Sequence, residues 1–186
     1  MGLIGGIPPN IQNPQYCVQY PSDRPSYVVN FNVNPTVTMD MFAIECGPSK
    51  YVRLERIVID NVGMLTTAGM LALALIRTTV SGAGSLVTPV GLDEGDPPFT
   101  GLCRSGNSAA NLGTAGVTIA MYNMWIPAAV GPMTPLVLEM GGQGQVYKQP
   151  LIKTGVNNGI SLRNPGGAGG AGFCGYAVFC EESLIP

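Results

Sequence analysis

The sequence predicts an all-β protein: an antiparallel two-sheet sandwich, jelly-roll-like, of about eight strands, with an extended N-terminal arm. Three observations predict it. Among 186 residues there are 26 glycines and 16 prolines, about twice average usage, and at that density no 3.6-residue period runs far. Short runs of alternating or continuous apolar residues recur with turn residues between them. Hydrophobic residues make up 46% of the chain, enough for one domain that buries roughly two thirds of its unfolded surface. Together these exclude disorder, coiled coils and long helices. No repeat of fixed period is present, which sets aside propellers and solenoids.

Residues 1–35 read as a Pro-rich extended arm. Pro8, Pro9, Pro14, Pro21, Pro25 and Pro35 punctuate it, each fixing φ and removing a donor. Stretched out, it would span roughly 115 Å. Ile4, Ile7, Ile11, Tyr16, Val18 and Tyr20 give it apolar anchors. Two readings stay open: an arm that wraps a neighbouring subunit, or a tail that is disordered or laid over its own domain.

Residues 36–186 read as the sandwich. Thr36–Cys46 is a strand ended by Gly47-Pro48, and Tyr51–Val62 is a second. Alternation in the second places Val52, Leu54 and Arg56 on one face and Arg53, Glu55, Ile57 and Ile59 on the other. That phase is imperfect, which predicts a bulge or a long bent strand. Met70–Thr79 favours a helix by propensity. Its shortness, its flanking Thr66-Thr67 and Gly69, and the β-branched residues that follow favour a strand buried on both faces. Ser81–Ser85 is a turn, Leu86–Leu92 a short strand, Asp93–Pro98 a break, and Gly101–Leu112 mostly loop. Val117–Ile126 is a strand stopped by Pro127, and Leu136–Met140 another. In Val146–Lys153, Pro150 predicts an edge position. Asn157-Asn158-Gly159 is a hairpin signal leading into a strand that begins at Ile160–Arg163. Asn164–Gly172 is a Gly-rich loop. In Phe173–Glu181, Cys174, Tyr176, Val178 and Cys180 share one face, and Phe173, Gly175, Ala177 and Phe179 the other. Regular short strands of this number suit a jelly roll.

Charge and hydropathy narrow the partners. Nine basic and eleven acidic residues give a formal net charge of −2, and phosphate binding needs clustered Lys and Arg. The nearest cluster, Lys50, Arg53 and Arg56, alternates across two faces, so no direct nucleic-acid partner is expected. Gly69–Ile76 is far shorter than the roughly 20 apolar residues of a membrane span, and the first residues lack a signal peptide's basic start and apolar stretch. The expectation is synthesis and folding in a cytoplasm, with no membrane partner.

No catalytic, cofactor-binding or metal-binding residues are expected. The chain has no histidine, which removes Ser-His and Cys-His pairs and the usual mixed zinc sites. Cys17, Cys46, Cys103, Cys174 and Cys180 form no CxxC pair and read as buried thiols. Gly167, Gly169 and Gly172 match GxGxxG, but a strand follows where dinucleotide binding needs a helix. Asp93, Glu94 and Asp96 lack calcium-loop spacing and read as a turn with exposed carboxylates. Glu45, Glu55, Asp60 and Glu139 are the carboxylates from which glycoside chemistry could be built. Tyr122, Trp125, Tyr147 and Tyr176 could line a sugar groove, although one Trp after an apolar strand reads as core.

Between Leu75 and Pro97 the chain has an aliphatic strand ending Ile76-Arg77-Thr78-Thr79, a small-residue turn at Ser81–Ser85, a Thr/Val strand, then Leu92-Asp93 and Asp96-Pro97. Ile160-Ser161-Leu162-Arg163 follows near the end, before a Gly-rich loop and a final strand through Phe179-Cys180 to Glu181-Glu182. Over roughly residues 50–182 this resembles small jelly-roll virion structural proteins of tailed bacteriophages. The resemblance implies a non-enzymatic subunit displayed on a virion: a capsid decoration (cement) protein, or alternatively a tail- or head-fibre component. It further implies self-association, with a homotrimer favoured; the apolar-studded arm, which falls outside the likeness, adds the expectation of docking on the major capsid protein or other virion proteins, and the aromatic set that of a carbohydrate- or receptor-binding module as an alternative.

Overall fold

The computed structural model describes residues 24–35, 37–61, 69–80, 84–108, 112–126, 134–141, 149–154, 158–166 and 172–183. Its regular elements among these are all strands: β1 (Ser26–Val33), β2 (Met39–Glu45), β3 (Lys50–Asn61), β4 (Gly69–Val80), β5 (Ser85–Val87), β6 (Val90–Gly91), β7 (Leu102–Ser108), β8 (Thr114–Ile126), β9 (Leu136–Glu139), β10 (Leu151–Ile152), β11 (Gly159–Asn164) and β12 (Phe173–Ser183). One sheet runs β10-β3-β12-β1-β6, with β9 beside β10 on the same edge of β3; the other runs β5-β7-β2-β11-β4-β8. Every pairing is antiparallel.

Eight strands carry the topology. β1 pairs β12, β2 pairs β11, β3 pairs β9 and β4 pairs β8, so the first four strands meet the last four in reverse order, like a ribbon doubled on itself. Rolled into two sheets, the ribbon gives β1-β12-β3-β9 facing β2-β11-β4-β8, the connectivity of a jelly roll. The expected fold class is what forms. β5, β6, β7 and β10 extend the edges of that frame.

Three stretches depart from the sequence reading, the smallest being Leu86–Leu92, which is not one strand but divides into β5 and β6 of different sheets. Ser26–Val33, assigned to the arm, is β1 and lies inside the first sheet, because Tyr27, Val29, Phe31 and Val33 alternate into the core. The body therefore starts before residue 36, and residues 1–23 lie outside the described residues. Leu102–Ser108, read as loop, is β7: its small polar residues have little strand propensity, but six residues register with β2 and Cys103 enters the core.

The imperfect phase of β3 is a bulge. Val178 registers with Arg56 and Phe179 with Leu54, so Glu55 is the extra residue. Val52 and Leu54 before it, and Ile57 and Ile59 after it, all reach the core. β4 is a strand despite its Ala, Leu and Met content, since Leu71, Leu73 and Leu75 point inward while β8 pairs along it and β11 pairs Ala74–Thr78; it is not buried on both faces throughout, because Met70 and Arg77 are exposed.

The core is closed at one end by the loop before β7. Phe99 packs on Tyr27 and Phe179 with ring centroids 5.4 and 5.0 Å away. The Tyr27 hydroxyl donates to Pro97 O at 2.8 Å. Asp96 Oδ2 accepts from the backbone amides of Ser26 and Asp93, each at 3.2 Å. Buried Glu181 accepts from the Thr100 hydroxyl and amide. The acidic turn thus holds Asp93 and Glu94 in solvent but uses Asp96 as a clamp. Burial chiefly, with the Glu181 and Asp96 charges, pushes the Tyr27 phenol up to about 12.

On the second sheet, Asp40 is fully buried and bonded to Arg163, Nε to Oδ1 at 2.6 Å. Gly113, at the entry to β8, donates its amide to Asp40 Oδ2 at 3.2 Å, and its carbonyl accepts from Arg163 at 2.8 Å. One ion pair therefore ties β2, β11 and the β7–β8 connection together.

Candidate functional site: an uncharged sheet edge

The sheet edges differ in kind. β9, β10, β5 and β6 are two to four residues long, and short strands blunt an edge against pairing with other chains. β8 has 13 residues, lies at the end of its sheet and pairs only β4 among the described residues. It contains no Asp, Glu, Lys or Arg.

Its side chains split by face. Tyr122 packs against the core, and Met124 and Ile126 lie within it. On the other side Met121 is 68% and Trp125 60% exposed, and Met70 of β4, in register with Trp125, is 58% exposed. Val117, 72% exposed, lies beyond the register shift and lines a cleft with Leu151 and Ile152 of the other sheet. Large apolar side chains gathered on one exposed edge mark an association surface rather than scattered exposure.

β8 is regular only in its second half. The β4 register shifts between Leu75 and Ile76, Ile76 and Thr78, and Thr78 and Val80. Bulges of this kind twist an edge away from a partner. From Ala120 to Ile126 the register with β4 is unbroken, leaving a regular seven-residue edge with neither charge nor bulge.

The aromatic set proposed for a sugar groove does not converge. Tyr122 faces the core, Trp125 faces outward from the second sheet, and Tyr176 belongs to the first sheet, paired with Asn30 and Val58. Tyr147 lies outside the described residues. Trp125, expected in the core, is exposed because β8 is an edge strand whose outward row has no strand or loop over it among the described residues.

Of the four carboxylates, Glu55 and Glu139 meet. With Arg56 and Gln149 they line a cleft of about 450 Å³ beside the β3 bulge. Glu139 is held by Arg56 at 2.7 Å. Glu45 ends β2 in the opposite sheet, and Asp60 registers with Cys174 at the far end of β3. A second cleft, about 470 Å³, is lined by Arg77, Lys153 and Thr78 among others, with Arg77 donating to Leu151 O at 2.8 Å across the two sheets.

The basic cluster is partly offset: Lys50 donates to Ser183 Oγ at 2.7 Å, and Glu182 is shared between Arg53 and Arg24. The bulge puts Arg53 and Arg56 on the same outer face rather than opposite ones. Each has an acid: Glu182 at 2.6 Å from Arg53, and Glu139 for Arg56. Among the described residues no group of three or more Cys, Asp or Glu is placed to hold a metal ion. Gly172 leads directly into β12, the strand expected in place of a dinucleotide-binding helix; Gly167 and Gly169 lie outside the described residues.

Cys46, Cys103, Cys174 and Cys180 are free thiols; Cys17 lies outside the described residues. Burial raises Cys103 strongly. Burial chiefly, with the Glu181 charge, pushes Cys46 up to about 11. Cys180 rises to about 12, again mainly by burial, with Glu55 and Glu182 beside it. Such thiols are poor nucleophiles at neutral pH.

The sequence held the signal for β8 in a form easily read otherwise. Apolar residues at both odd and even positions, with no charge, look like a strand covered on both faces; here one face is covered and the other is open. Comparison with known proteins returned no matching family, curated protein or solved structure.

Proposed function

We propose that this chain is a structural virion protein of a tailed bacteriophage, a capsid decoration or cement subunit that stabilises the particle by self-association and by docking through its N-terminal residues. The observation that carries this reading is the long, uncharged, apolar-faced edge of β8 on a jelly-roll body. Protein interfaces thin out charge and gather Met and aromatic residues at their centre, and that is the composition of this edge. The resemblance read in the sequence to small phage virion proteins and the apolar residues of the N-terminal segment point the same way. The scarcity of chemistry-bearing residues, with histidine absent and 11% charged residues, leaves the surface suited to packing.

The test is location. Antibody labelling or density from intact particles places the subunit on the capsid, and deletion of residues 1–23 strips it from particles without unfolding the body. A chain missing from purified particles, or a deletion that leaves attachment intact, refutes the respective half of the proposal.

The exposure of Trp125 beside Met70 favours one second reading, a receptor- or carbohydrate-binding module. A glycan array with wild type and Trp125→Ala decides it: specific binding lost in the variant supports it, and no binding removes it.

A further inference from the structure

The regular half of β8 is complementary to itself. An antiparallel edge offers the same alternation of N–H and C=O to a second copy turned by a two-fold axis, and cyclic dimers use such isologous contacts. The unbroken register runs from Ala120 to Ile126, and its midpoint is Asn123. Pairing about that residue sets Asn123 against Asn123 of the second copy and Met121 against its Trp125 on the outer face. Toward the core side, Tyr122 meets Met124. Met121, Tyr122, Met124 and Trp125 each then find a sulfur–aromatic partner, a contact favourable in itself, on both faces and in both directions, while Ile126 falls opposite Ala120. No other centre in the stretch does this: pairing about Tyr122 puts Met121 opposite Asn123, and pairing about Met124 leaves Trp125 opposite Asn123.

Charge selects the same occupant. With no ionisable group from Thr114 to Ile126 other than the Tyr122 phenol, the edge offers nothing to an acidic or basic partner, and a second copy meets no like-charge repulsion across the axis. We infer that two copies of this chain join through β8 in antiparallel register about Asn123, making one sheet continuous across the two bodies. The inference rests on the reading of the chain as a self-associating subunit and names the surface. The contact closes on two subunits, so the trimer implied by the phage resemblance would have to use another face.

The experiment is cysteine cross-linking on the full-length chain. Asn123→Cys, oxidised mildly, gives a covalent dimer, and mass spectrometry finds its two chains linked at position 123 of each. Asn30→Cys, exposed on the opposite sheet, gives none. In parallel, sedimentation velocity finds wild type dimeric, and Met121→Lys, a change at an exposed side chain, weakens the dimer at least tenfold with an unchanged far-UV spectrum. A monomer at all concentrations overturns the inference, as does an oligomer that neither cross-links at position 123 nor responds to Met121→Lys. Particle-bound protein that fails both assays overturns the pairing and leaves the virion reading standing. Cross-linking by a chain absent from particles does the reverse.

Discussion

Arg163→Met is the sharpest test of how the second sheet is held together. It removes the one cation paired with Asp40 among the described residues; the Asp40 side chain is 0% exposed, whereas that of Arg163 retains 11%. The two ends of the ion pair are therefore unequal. Removing Arg163 strands a carboxylate with one weak donor left, the Gly113 amide at 3.2 Å, and uncompensated buried charges of this kind cost about 3–5 kcal/mol. Asp40→Asn leaves a guanidinium that still bonds Gly113 O at 2.8 Å and can turn toward water, so its loss is that of a charge-assisted hydrogen bond, about 1.5–3 kcal/mol. For a domain of this size the first change lowers Tm by roughly 6–20 °C. The double variant Asp40→Leu/Arg163→Met, with no charge left to strand, recovers at least half the loss of the single change. Urea unfolding by circular dichroism, at one protein concentration for all variants, measures each term. A cost below about 1 kcal/mol for Arg163→Met, or a double variant no better than the single one, refutes the reasoning.

Four further outcomes are expected. The raised Tyr27 phenol binds its proton more tightly folded than unfolded, so its contribution to stability is complete below pH 10 and is lost as pH rises toward 12; Tyr27→Phe flattens that part of the stability–pH curve, and an unaltered curve contradicts the assignment. With a thiol reagent at pH 8, native protein labels half-buried Cys174 ahead of Cys46, Cys103 and Cys180, which react only as urea unfolds the chain; prompt labelling of Cys103 would overturn its placement in the core. Gly175→Ala destabilises by about 1–3 kcal/mol through overpacking, since a Cβ there meets Val58 O and comes within 2.6 Å of the Phe31 ring; a neutral effect in a melt would count against the β3–β12 register. Trp125 fluorescence is readily quenched by acrylamide in dilute protein and becomes shielded as concentration rises into the dimer range, and quenching that ignores concentration contradicts its place at the interface.

What could be read in the sequence was mostly local. The alternation of the last strand put Phe173, Ala177 and Phe179 on one face, and the structure turns that face inward. The broken phase in Tyr51–Val62 announced the Glu55 bulge, but which residues it would bring together depended on pairing with β12, and so Arg53 and Arg56 were assigned to opposite faces. Leu102–Ser108 is a strand by context alone: β2 on one side and β5 on the other supply its ladder. Ser26–Val33 alternated in plain sight, and the surrounding prolines hid it. The β8 surface could not be located beforehand, because whether a face is open depends on which strand ends the sheet, and strand order is set by partners distant in the chain. The meeting of Glu55 with Glu139 depends likewise on β9 lying along β3.

β12 sits in the middle of its sheet, with β1 on one side and β3 on the other, so on the β12 side Ser26 is matched by Cys180. On the ribosome, β1 and β3 must wait until β12 has been made before that gap can be filled. Loop closure of this span slows folding, and the waiting apolar rows of β1 and β3 are the surfaces a chaperone would meet. Truncation a few residues short of Phe179 should therefore yield not a slightly weakened protein but an insoluble one, a behaviour that a pulse of premature termination in cells would expose.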